Sequence, residues 1–238
     1  MVMRRSALVV AVVAALVLPF VIGVAQASAT TLQKLSTATQ PIQSPEMADC
    51  GDPFVGYNQG WYSSEFGRTD ECLNNTNYIT GRDGIAPNDY YGETRGFFSF
   101  WMGRVSGRVS AAKLVIPRGN CPDAQGDDVV ETLNVWNVST DAVTLNDGLE
   151  PGPSPNTFAD LGSGTKFASK QVSTVQGSTM TPNVAVQLNS AAITAINQAR
   201  GKNYLSFGMA LSTLTHDAPE EVFGCTGLLP VNLSLTIG

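Results

Sequence analysis

The chain reads as all-β: an antiparallel β-sandwich of jelly-roll type, with one short helix at about residues 190–200. Three observations lead there. Strand-length runs rich in β-branched and aromatic residues recur along the chain, separated by Gly- and Pro-rich turns. Several runs alternate apolar and polar residues with period two. The cleanest is Val231-Asn232-Leu233-Ser234-Leu235-Thr236-Ile237, the pattern of a strand with one buried and one wet face. No internal repeat of propeller or solenoid length is present.

Taken in order, the chain opens with a targeting pattern. Arg4 and Arg5 precede an apolar run over residues 8–24, and Ala25-Gln26-Ala27 or Ala27-Ser28-Ala29 offers small residues for cleavage. Residues 1–27 are therefore expected to be a signal peptide cut after Ala27 or Ala29, rather than an uncleaved anchor. No apolar tail or basic stop follows the last strand, so no stable membrane anchor is expected after cleavage. The expected location is secreted and extracellular, or periplasmic in a source with an outer membrane. Residues 28–49 are polar, carry Pro41 and Pro45, and read as a flexible lead. Residues 50–238 have the size of one β-sandwich domain.

Cleavage would remove two arginines and no acid, taking the formal charge from -6 to -8, with 12 basic residues against 20 acidic. The bases are scattered singly, so nucleic acid is not expected as a partner. Cys50, Cys72, Cys121 and Cys225 make an even count, which in an exported chain reads as two disulfides with three open pairings. Zinc would need closely spaced ligands, and the single histidine, His216, does not supply them.

Within the domain the strand candidates fall at residues 61–66, 77–81, 90–102, 109–116, 130–138, 165–172, 184–188, 204–211, 221–224 and 231–237. The stretch 93–116 stands out. A dense aromatic run (Phe97, Phe98, Phe100, Trp101), a Gly/Ser connection and a β-branched run read as two neighbouring antiparallel strands at the centre of the fold. Phe97 and Trp101 fall on one face of the first strand and Phe98 and Phe100 on the other, so this strand is expected to be covered on both sides. Residues 149–155 read as a Pro/Gly loop. The helix takes Ser190 or Asn189 as its N-cap, turns Ile193, Ile196 and Ala199 to one face, and stops at Gly201, as a cap over one end of the sandwich.

The segments R-G-F-F-S-F at 95–100 and G-R-V-S-A-A-K-L-V-I at 107–116 resemble the shared hairpin of secreted bacterial jelly-roll β-sandwich domains of unassigned function. Further similar segments are N-Y-I-T-G at 77–81, F-A-D-L-G-S-G-T-K-F at 158–167 and the helix start at 186–197, so that most of residues 59–238 is covered. The chain departs from that pattern at Trp101-Met102, where Asp-Leu is usual, and in its four cysteines. The resemblance implies an exported sandwich and supplies no catalytic residues.

No catalytic constellation emerges. His216 would be the only imidazole base for a serine nucleophile, and it lies in a polar turn segment with no G-x-S-x-G elbow in the chain. Glu65, Glu93 and Glu131 are the carboxylates that could serve a hydrolase, but Glu93 shares a strand face with Arg95 and is expected in a local polar network. Glu220 and Glu221 point to opposite strand faces and form no dyad on their own. Calcium is the one ligand ion the acids suggest, at Asp123, Asp127 and Asp128 in one loop, although the regular calcium-loop spacing is absent. No other cofactor is expected. Aromatic pairs offer the candidate ligand surface: Tyr57, Trp61, Tyr62 and Tyr90, one of each adjacent pair being surplus to a core if both sheet faces there are not buried. The expected function is a secreted, non-enzymatic module that meets a polysaccharide or another envelope or matrix component. The alternatives are a structural or surface interaction protein without a small ligand, and a polysaccharide-acting hydrolase or lyase.

Overall fold

The structure, a computed structural model, describes residues 30–39, 42, 57–67, 78–82, 92–118, 130–147, 154–173, 183–212, 214, 220–223 and 229–238. They form two antiparallel sheets packed face to face. The strands are β1 (Thr31–Ser36), β2 (Gln59–Ser63), β3 (Thr80–Arg82), β4 (Glu93–Trp101), β5 (Val109–Ile116), β6 (Val130–Asn137), β7 (Lys166–Ser173), β8 (Val184–Gln187), β9 (Tyr204–Leu211), β10 (Glu220–Val222) and β11 (Asn232–Ile237). The smaller sheet runs β1-β11-β5-β8 and the larger β10-β3-β4-β9-β6-β7, with β2 pairing β4 off that path.

The larger sheet branches at β4, which hydrogen-bonds β2, β3 and β9. Gly96 makes the branch sterically feasible. Its amide donates to Thr80 Oγ1 at 3.2 Å, and a Cβ there would stand 2.9 Å from that oxygen and 2.8 Å from Met209 Cε. On the inner face Phe98 and Phe100 join the main core, edge-on to Tyr78 and Phe207 at centroid separations of 5.2 and 5.7 Å. From the smaller sheet Leu114, Ile116, Leu233 and Leu235 close the same core. The aromatic strand is covered on both faces, as its alternation requires: Phe97 points outward into a second cluster with Tyr62, Val138, Leu145 and Leu161.

The expected hairpin of β4 with β5 is not formed. The two strands lie in different sheets, β4 beside β9 and β5 between β11 and β8. The reason is the connection between them. Met102–Arg104 make a 3-10 turn, closed by Val105 N donating to Met102 O at 3.1 Å. Met102 and Val105 are themselves core residues, so the connection is drawn across the sandwich instead of folding back.

Two other expectations are corrected. Thr31–Ser36, placed by sequence in the flexible lead, pair with β11 as an edge strand. Only Leu35 of that strand is buried, which is why no period was visible. The helix is not single either, because α1 (Ala142–Asp147) and α2 (Pro155–Asp160) precede α3 (Ser190–Ala199). Pro155, read as the end of a loop, is the first residue of α2, where a missing N–H costs nothing. The third helix is capped by Asn189, whose side chain accepts from Ala192 N at 3.1 Å, and Gly201 follows it at φ 71°. Ala192 and Ile196 seal the core at that end, while Ile193 and Ala199 pack beside them.

Residues 138–147 and 154–165 form a strap over the outer face of the larger sheet, and Gly208 sets how close it comes. A Cβ on Gly208 would stand 2.7 Å from Leu161 Cα, so the strap backbone rests directly on the sheet. Gly208→Ala should therefore lift the strap and cost about 1–3 kcal/mol in urea unfolding. An unchanged midpoint would contradict this packing.

Candidate functional site

The aromatic pair first expected to meet a ligand is buried. Trp61 and Tyr62 are 4% and 3% exposed. Tyr62 packs against Phe97 at 6.0 Å and donates its hydroxyl to the Thr144 and Leu145 carbonyls, both at 3.2 Å, so it pins α1 to the sheet. Trp61 faces the other way, in register with Gly96. Both sheet faces are covered here, so neither ring is surplus. Tyr57 is half-buried. Tyr90, the calcium candidates Asp123, Asp127 and Asp128, the four cysteines Cys50, Cys72, Cys121 and Cys225, and His216 lie outside the described residues. No cluster of three or more metal-binding side chains occurs among the described residues.

The carboxylates take separate positions. Glu131 is fully buried on β6, and Glu65 is exposed in the turn after β2. Glu93 is engaged by Arg95, with Nε 2.8 Å from its Oε1. The same guanidinium lies 4.2 Å above the Phe158 ring and donates Nη1 to the Phe158 carbonyl at 3.0 Å. A Cβ on Gly162 would stand 2.5 Å from Arg95 Nη1, so glycine leaves the guanidinium its seat. Arg95 thus clamps the carbonyl end of α2, where a cation is favourable. The expectation of a local polar network at Glu93 and Arg95 is met.

Two aspartates fasten the rest of the strap. Asp160 accepts from the amides and hydroxyls of both Ser139 and Thr140, at 2.7–3.0 Å. Burial opposes its ionisation, but these four donors outweigh it and hold its carboxyl below the ordinary value. Asp141 caps α1. The Thr144 hydroxyl and amide lower its carboxyl most, burial opposes them, and Val143 N adds to the lowering.

One open concavity among the described residues lies elsewhere, at the end of the sandwich between α3 and the rims of β6, β7 and β9. It encloses about 550 Å³. Phe167 and Leu205 supply its apolar floor. Asn137, Gln198 and Asn203 bring three side-chain amides to its wall, and none of the three donates or accepts a hydrogen bond among the described residues. Tyr204 completes the wall, tilted against Trp101 at 5.2 Å, with both rings half-buried. Gly103 lets Trp101 lie flat, since a Cβ there would stand 2.6 Å from the indole. Burial pushes the Tyr204 phenol up, so it remains a neutral donor at ordinary pH.

A second concavity, on the other side of α3, differs in one respect. Its amide, Asn197, is fully used: Oδ1 accepts from Val109 N, and Nδ2 donates to Val109 O and Ile193 O, all at 2.9 Å. That amide ties α3 to β5. The first cleft's side-chain amides tie no elements together among the described residues: Gln198 and Asn203 are exposed and Asn137 is half-buried, beside the Tyr204 ring. The sequence reading missed this cleft because its walls come from three separate stretches of chain, at 137, 165–167 and 191–205. The only local signal is the polar run N-Q-A-R-G-K-N-Y at 197–204.

Asp160 gives the strap a pH dependence. Its folded carboxyl is lowered, so its stabilisation is present above the unfolded value near 4 and is lost as pH falls through the folded value. Asp160→Asn should lose about 1–3 kcal/mol at pH 7. Urea unfolding should show that difference shrinking at acid pH, and an equal loss at pH 7 and pH 3 would contradict the assignment.

Searches against protein-family models and against curated proteins found no match for this chain.

Proposed function

We propose that this protein is a secreted, non-enzymatic β-sandwich module that binds polysaccharide through the cleft beside α3. The observation that carries this reading is the cleft's convergence of three amides without partners among the described residues, next to the Tyr204–Trp101 ring pair. Saccharides are recognised by such means: a ring stacks on the sugar's C–H face, and amides bond its hydroxyls. The scaffold suits the task because β9 and α3 are both anchored in the core, so the ligand groups need little ordering on binding. Export is supported by the leader pattern of residues 1–27. No helix among the described residues is long and apolar enough to cross a membrane. Calcium at Asp123, Asp127 and Asp128 belongs to the proposal as a structural ion of that loop, whose residues lie outside the described ones.

A glycan array probed with the protein, with and without calcium, tests the reading. At least one polysaccharide class should be retained. Tyr204→Leu, which keeps the apolar bulk on β9, should lower its retention about tenfold, the scale of one stacked ring and a hydrogen bond. A flat array in both conditions would defeat the proposal.

A further inference from the structure

The cleft beside α3 also carries information about charge. The chain has 20 acidic residues against 14 basic ones, yet no Asp or Glu lines this cleft among the described residues, and one cation, Lys202, does. Lys202 is exposed and makes no ion pair among the described residues. Its backbone is fixed, with N donating to Ala199 O at 3.0 Å, immediately after Gly201, whose own amide donates to Met102 O at 3.0 Å. A lysine past a helix end also complements the helix dipole. That effect asks for a cation near the last turn, and Arg200, the C-cap residue of the helix, already supplies one. It does not account for a second cation, Lys202, among the residues that line the cleft. The other lysine nearby, Lys166, is committed elsewhere, with Nζ 4.8 Å from the centroid of the Trp136 ring.

We propose that the ligand of this cleft is an acidic saccharide, a uronic-acid unit whose carboxylate is met by Lys202 while Asn137, Gln198 and Asn203 bond its hydroxyls. This rests on the polysaccharide-binding reading and narrows it to one chemical class. A single ammonium fits a single carboxylate per site. The cleft volume of about 550 Å³ suits a short stretch of chain. The acidic remainder of the protein makes no contribution to attraction, so recognition is local and works at contact distance.

The test uses trimers of galacturonate, glucuronate and mannuronate, each beside its methyl ester, which keeps the shape and removes the charge. Titration calorimetry on the intact protein should find one acid bound about tenfold more tightly than its ester, the scale of one charge-assisted contact. Lys202→Met should erase that preference without changing the melting temperature, and Lys202→Arg should retain it. Equal binding of acid and ester would overturn the inference and leave the polysaccharide reading standing. So would a preference that survives in Lys202→Met. Binding of no saccharide on the array or in the calorimeter would remove both.

Discussion

The covering of β4 on both faces is the constraint that organises the molecule. A strand buried on one side needs one apolar set. This one carries two, with Phe98 and Phe100 inward and Phe97 outward. The inward set is answered by the smaller sheet. The outward set would face water, at a cost of about 25 cal/mol for each Å² of apolar surface, unless something covered it. The strap of α1 and α2 is that cover, and its polar fastenings are what its short helices need. Neither helix is long enough to be stable alone, so Tyr62, Arg95, Asp141 and Asp160 fix them from outside or at their ends.

Backbone pairing reinforces the same point. With β2 along one side and β9 and β3 along the other, β4 has no exposed edge over most of its length. The smaller sheet is built differently. Its outer face carries Lys113, Ser234 and Thr236 and stays wet, and β1 ends it with Leu35 as its one buried residue. Stability is thus expected to grade from the larger sheet to the β1 edge.

How much of this was legible in the sequence depends on whether the information is local. Val109–Ile116 and Tyr204–Leu211 have the bounds their sequences indicate, because an apolar run bounded by turn residues is a property of the strand itself. The helix beside the cleft was legible for the same reason, with Asn189 before it and Gly201 after it. Partner choice is not local. The aromatic run shows that β4 is covered twice but not that β5 leaves for the other sheet, a result decided by Met102 and Val105 entering the core. The burial of Tyr62 followed from the strap, whose helices A-V-T-L-N-D and P-N-T-F-A-D are too short to show a period. The segments R-G-F-F-S-F and F-A-D-L-G-S-G-T-K-F meet in space through Arg95 on Phe158 and Phe97 beside Leu161. The cleft was the least legible feature, since Asn137 and Thr165 are brought to the 191–205 stretch only by the completed fold.

Native-state amide hydrogen exchange tests the central role of β4 most directly. The amides of Phe97, Phe98, Ser99 and Phe100 should exchange only through global unfolding, together with those of β9, while the β1 amides exchange through a smaller local opening. Exchange of the β4 amides before or together with those of β1 would contradict the account.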